Sequence, residues 1–259
     1  MKSITKGNQS LIKALQIIEV LAEHKSPMRL LDISNAIKLS PSTVLRFLNT
    51  LKLKNYVGQD PATSCYYPTL KFLLLGNLVS SQLKIRDIVR PYLLDISNNC
   101  GESSTLAVLQ NMEVIYIDYV EGPDLILRTL QRIGKIAPLH STGVGKCLLL
   151  NFDENKIEQL IKEKGLISLT EKTITTKENL MKELETVRAQ NYALDNEECE
   201  PHVKCIAAPI RDFTGNVAAS ISVSAPSGRL SDAKMDKILG LLQDASSRIS
   251  STMGFTPAS

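Results

Sequence analysis

Apolar residues recur every three to four positions through most of the first 55 residues. Leu11, Leu15, Ile18, Val20 and Leu21 form a stripe that predicts a helix over 10–24, capped by Ser10 and ended before Ser26-Pro27. Leu30, Leu31, Ile33, Ala36 and Ile37 predict a second helix, closed at Lys38-Leu39. Ser40 caps a third, and Pro41 takes its first position, where a missing N–H costs nothing. Val44, Phe47, Leu48 and Leu51 point inward on that helix. Ser42, Thr43, Arg46 and Asn49 are left on its outer face. Two short aromatic segments around Pro61-Ala62-Thr63-Ser64 then predict a β-hairpin, in which Tyr66 and Tyr67 pack.

The pattern continues as a helix over 69–81 and an amphipathic helix over 84–100, with Pro91 as a predicted kink and Gly101 as its stop. The period then changes to two. Strands are predicted over 105–109, 114–120, 125–130 and 136–139, and later over 192–195, 205–211 and 217–224. Helices are predicted over 141–151, 154–164, 177–191 and from a Ser231 cap to about 253. The sum is an α+β fold. A three-helix unit with a hairpin occupies 1–78, with the start of a linker helix. A second domain, 79–259, is built on one mixed, largely antiparallel sheet.

Composition narrows the class. A hydrophobic fraction of 43% and a charged fraction of 22% are ordinary for a globular chain. No apolar run is long enough to span a membrane, and the N-terminus lacks the apolar core of a signal peptide. Five cysteines without a C-x-x-C pair favour a reducing, cytoplasmic setting. Charge is unevenly spread. Residues 1–75 hold ten Lys/Arg against four Asp/Glu, whereas the remainder holds twenty against twenty-three. Basic charge gathered on a helix-turn-helix pattern is the footprint of a nucleic-acid-binding module.

The outer face of the third helix suits the DNA major groove, with short hydroxyls near its start and a guanidinium one turn on. Ser42, Thr43, Arg46 and Asn49 are therefore candidate DNA contacts. Thr63 and Ser64, at the tip of a hairpin placed as a wing, are candidate backbone contacts. The same spacing also fits an ordinary helical hairpin with a solvated face, and the wing can serve only to close the core. Leu70 and Phe72 to Leu75 exceed what one small domain buries, which fits two-fold pairing on palindromic DNA.

Sharper chemistry finds little support. Gly145-Lys146 is no P-loop, because His140 stands where the first glycine belongs and Cys147 replaces the hydroxyl residue. Cys199, His202 and Cys205 have a spacing unlike standard zinc sites and lack an evident fourth ligand. A Cys205–His140 nucleophile pair has no orienting third group signalled. Two alternatives stand beside DNA binding: a sugar-acid-processing enzyme in 80–259, and a ligand-sensing scaffold whose helix-turn-helix binds protein.

Three stretches carry a resemblance over nearly the whole chain: 42–48, 138–146 and 195–224. They resemble the IclR family of bacterial transcriptional regulators. The runs at 132–134, 195–198 and 249–255 are similar to its KdgR-like branch, which governs hexuronate and pectin catabolism. The resemblance implies a winged helix-turn-helix domain, a linker helix and a GAF-like effector-binding domain. It implies a repressor bound to double-stranded operator DNA as a homodimer or homotetramer, no cofactor, and a small organic-acid effector such as 2-keto-3-deoxygluconate. Carried over position by position, the effector cavity is lined by Gly143, Val144, Asp195, Cys205, Ser222 and Ser224, with Ile126 and Thr129 as walls. Gly143-Val144-Gly145 would offer exposed N–H groups at a helix start. Ser222 and Ser224 share one strand face and can donate to a carboxylate. Two departures stand out. Pro41 replaces a frequent basic residue, and His202 replaces a frequent glycine.

Overall fold

Asn8 opens the first helix two positions ahead of the expected Ser10 cap, its Oδ1 accepting from the N–H groups of Ser10 and Leu11. The computed structural model describes residues 8–81, 84–122 and 133–256. The strand expected over 125–130 lies outside them. The chain divides into two compact units, 1–82 and 83–259.

In the first unit α1 (Gln9–Glu23) buries Ile17 and Leu21. Leu11 and Leu15, expected in the core, are 60% and 49% exposed. The trihelical core is too small to cover the first two turns of α1. In α2 (Leu30–Ile37) the buried residues are Ile33 and Ser34, whereas Leu31 and Ala36 face outward against expectation. The Ser34 hydroxyl donates to the Leu39 carbonyl, which satisfies both buried groups. Lys38 adopts φ 54°, the left-handed turn that ends α2. Ser40 Oγ then accepts from the Thr43 N–H to start α3 (Pro41–Leu53), with Val44, Leu48 and Leu51 buried.

The hairpin pairs β1 (Val57–Gln59) with β2 (Tyr66–Pro68). Tyr66 is buried. Tyr67 lies against Gly58, where a Cβ would overlap the phenol ring. In α4 (Lys71–Ser81) Phe72 packs on Tyr56, ring centroids 5.3 Å apart, while Leu73, Leu74 and Leu75 are exposed.

The second unit begins with α5 (Lys84–Cys100), which contains Pro91 and ends at Gly101, φ 75°. Among the described residues six strands follow: β3 (Ser103–Gln110), β4 (Glu113–Val120), β5 (Ile136–Ala137), β6 (Ala193–Asn196), β7 (Val203–Arg211) and β8 (Val217–Pro226). Their order across the sheet is β5-β4-β3-β8-β7-β6. Every described pairing is antiparallel, so the sheet is not mixed as expected.

The two faces of the sheet bury different partners. Leu106, Ile206, Ile210, Ile221 and Val223 pack on α5 and on α9 (Asp232–Thr252), whose cap is Ser231. Ala107, Ala193 and Ala207 pack under α6 (Gly143–Leu148), α7 (Glu154–Lys164) and α8 (Lys177–Gln190). The small alanines on this face let α6 lie close. Gly143 is nearest: a Cβ there would come 3.2 Å from Ala207 Cβ. Among the described residues no helix is long and apolar enough to cross a membrane.

Candidate functional site

The first unit presents α3 and the hairpin tip. Ser42, Arg46 and Asn49 are exposed on α3, and Thr43 is half-buried. The Ser42 and Thr43 hydroxyls lie 3.2 and 2.9 Å from Ser40 Oγ, so all three form one network at the helix start. The Arg46 guanidinium stacks near Phe47, 5.7 Å from the ring centroid, which steadies it on the outer face. At the hairpin tip Asp60 Oδ1 accepts from the N–H groups of Ala62 and Thr63 at 2.8 and 2.9 Å. Those bonds hold the Asp60 carboxyl below its usual range. Ser64 adopts φ 56° there, so Thr63 and Ser64 project from a fixed turn.

In the second unit the sheet face under α6 carries a polar row. Asp195 on β6 stands opposite Cys205 on β7. Cys205 pairs with Ser224 on β8, and Ser224 pairs with Ser103 on β3. Facing pairs in an antiparallel sheet share a side, so these four side chains point the same way. One step along, Ser222 Oγ lies 2.7 Å from Thr105 Oγ1.

Next to the row is a cavity of about 210 Å³, lined by Tyr116, Thr142, Asp195, Cys199 and Glu200 with apolar walls from Ile136, Leu169 and Val203. It is below the roughly 300–1,000 Å³ typical of drug-sized ligands, and suits a small metabolite. Of the expected effector residues Asp195 lines this cavity. Gly143, Val144, Cys205, Ser222 and Ser224 are buried in the adjoining layer and do not line it. Ile126 and Thr129 lie outside the described residues.

The glycine motif plays another part than expected. Gly143, Val144 and Gly145 are buried rather than open at a helix start. The Gly145 N–H is taken by Thr142 Oγ1 at 3.1 Å, and a Cβ at Gly145 would overlap the Leu139 carbonyl oxygen. Close packing, not exposure, requires glycine there.

Sequence reasoning missed Lys146. Its ammonium is wholly buried and donates to Glu183 Oε1 at 2.9 Å, the Leu194 carbonyl at 2.8 Å and Glu198 Oε1 at 2.7 Å. A signal was present: the apolar run around Lys146 marks α6 as buried all round, and a lysine in such a helix must be paired. Glu198 in turn donates its N–H to Asp195 Oδ1 at 2.8 Å, and Cys199 adds a second N–H at 3.3 Å. Asp195 is only 5% exposed. Burial pushes its carboxyl up to about 7 despite those two N–H donors. Burial likewise raises the Glu198 carboxyl.

Cys147 and Cys199 offer no activated thiolate. Burial pushes Cys147 and Cys199 up to about 12. His140 Nε2 is engaged with the Ile167 carbonyl at 3.1 Å, and burial lowers its basicity. Among the described residues no group of three or more His, Cys, Asp and Glu is placed to hold a metal. His202 sits at φ 64° in the turn before β7, the left-handed backbone that favours glycine. A second hollow of about 250 Å³ beside His140 and Lys164 is less suited to a polar ligand, since Lys164 is paired with Glu113 at 3.2 Å.

A winged helical unit joined to a sheet domain with a small cavity matches known proteins along nearly its whole length. Residues 10–61 match the IclR helix-turn-helix domain, and residues 77–251 match the bacterial transcriptional regulator IclR C-terminal domain. The chain belongs to the IclR family. It is 34% identical to the HTH-type transcriptional regulator KdgR of Escherichia coli, over 95% of this chain and 93% of that one. It is 32% identical to the regulator XynR of the same organism, over 95% and 98%. The crystal structure of the Thermotoga maritima IclR superposes with a TM-score of 0.77 at 29% identity, covering 95% and 99%. IclR proteins regulate transcription. The first unit is therefore a DNA-binding domain and the second an effector domain, and the enzyme alternative for 80–259 falls away.

Proposed function

We propose that this IclR protein represses a catabolic operon in the cytoplasm and releases its double-stranded operator when a small organic acid, such as 2-keto-3-deoxygluconate, enters the second unit. The likeness to KdgR supports the sugar-acid context. The observation that carries the effector reading is Asp195, a buried carboxyl on the wall of a metabolite-sized cavity and joined through Glu198 to α6. Cys205 stands opposite Asp195 in the sheet and Ser224 lies beyond it, and the proposed site extends to these two and to Gly143, Val144 and Ser222.

Ser42, Thr43, Arg46 and Asn49 read the major groove in this account, with Thr63 and Ser64 gripping the backbone. Exposed leucines on α1 and α4 support assembly into dimers or tetramers, since apolar patches of this kind mark interaction surfaces. The acid acts by binding one arrangement of the assembly more tightly than the other.

Thermal melting against a panel of acids tests this reading: 2-keto-3-deoxygluconate, pyruvate, glyoxylate and aromatic acids. A ligand at 100 times its Kd stabilises by about 2.7 kcal/mol, a shift of several degrees. The proposal expects one sugar acid to shift the wild type and not Ser222→Ala. Absence of any shift overturns the choice of effector.

A further inference from the structure

An acid ligand entering this cavity meets a conflict of charge. Two carboxyls line it, Asp195 and Glu200, and among the described lining residues there is no Lys, Arg or His. The nearest buried cation cannot help, because the Lys146 ammonium already serves Glu183, Glu198 and the Leu194 carbonyl. Among the described residues both hydrogen bonds that Asp195 accepts fall on Oδ1 and none on Oδ2.

Resting on the acid-effector reading above, we infer that the cavity takes monocarboxylic acids, each with one proton held on Asp195 Oδ2, and refuses dicarboxylic acids. The proton comes from solvent. Oδ2–H then donates to the ligand carboxylate, and two carboxyls share one proton where two charges would repel. Oδ1 keeps its two N–H donors throughout.

The surroundings of Asp195 set this up. Lys146 from α6 pulls toward the charged form, but Glu198 in the loop after β6 pushes the other way and Glu183 of α8 shares the same ammonium. Cys199 lines the same cavity, its thiol pushed up to about 12 by burial, and Cys205 stands opposite Asp195 on β7. Burial dominates, and the Asp195 carboxyl sits near neutrality. Among the described lining residues a second ligand carboxylate finds no second buried acid. It meets Glu200, which is half-exposed at the cavity wall.

Titration calorimetry on the full chain tests this, with 2-keto-3-deoxygluconate as probe, between about pH 5.5 and 8.5, in two buffers of different ionisation heat. The expected result is uptake of about one proton at the upper pH and an affinity that falls roughly tenfold per pH unit above 7. Asp195→Asn is expected to take up no proton and to bind with an affinity flat in pH. Galactarate, a dicarboxylate of the same chain length, is expected to bind wild type at least tenfold more weakly and to gain most of that back in Glu200→Gln. Binding without proton uptake, or a pH slope that survives Asp195→Asn, overturns the inference and leaves the acid effector standing. No binding of any acid at any pH, including those where Asp195 is neutral, overturns the effector reading itself, and this inference with it.

Discussion

Lys146 Nζ lies 2.7 Å from Glu198 Oε1 inside the second unit, with 1% and 9% of the two side chains exposed. The pair ties α6 to the loop that shapes the Asp195 carboxylate. Replacing Lys146 by Met keeps the length of the side chain but leaves the Glu198 carboxyl buried without its ammonium partner. Loss of one partner of a buried pair costs about 3–5 kcal/mol. Lys146→Met is expected to lower the denaturation midpoint by a corresponding amount. Adding Glu198→Gln in the same chain should recover much of the loss, which a double-mutant cycle in urea will read.

Stability should also depend on pH through Asp195. Its folded carboxyl titrates near 7, against 3.8 for the ordinary side chain. Between those values the folded state holds the proton more tightly than the unfolded one. Stability from this group is therefore full below pH 3.8 and is lost as pH rises to 7, at a slope approaching about 1.4 kcal/mol per pH unit. Asp195→Asn should flatten that slope and melt higher than wild type at pH 8. Equal slopes in the two proteins, measured by denaturant titration, would contradict the assignment.

Arg46 gives a prediction for the other unit. Arg46→Ala removes one cation from the exposed face of α3, far in sequence from the cavity. Operator affinity should fall by about 1–3 kcal/mol if Arg46 reads a base. Loss of a phosphate contact instead would weaken all sequences alike and reduce the salt slope by about one. Acid binding should stay as in wild type.

Two glycines separate packing from propensity. Gly145→Ala forces a Cβ onto the Leu139 carbonyl and should destabilise by about 1–3 kcal/mol. Gly240, inside α9, has nothing within 4 Å of a new Cβ. Gly240→Ala should stabilise by about 0.5–1 kcal/mol. Thermal melting of the two variants beside wild type reads both signs.

Element types were legible because local rules agree with the fold: Ser40 and Ser231 do cap, Lys38 does close α2, and the period does change after Gly101. Burial was less legible. Leu11, Leu15 and Leu31 satisfy a helical stripe as well as Ile17 and Ile33 do, and only the size of the core decides which are covered. Of the effector residues implied by the resemblance, Asp195 is the one that lines the cavity among the described residues. Cys199, Thr142 and Glu200 reach it through a loop and a sheet register that no periodicity encodes. Lys146 was missed because a lone lysine reads as solvated until the whole apolar run around it is seen to be buried.

A chain that holds specific DNA and lets go when an acid fills the second unit shows both properties in one experiment. Sequencing the genomic fragments retained by the purified protein at about 0.15 M salt, with and without 2-keto-3-deoxygluconate, tests both most directly. A small set of palindromic sites next to catabolic genes is expected, lost in Arg46→Ala and released by the acid from wild type but not from Ser222→Ala. Fragments retained without sequence preference, or a specific set that no acid of the panel releases, would contradict that expectation.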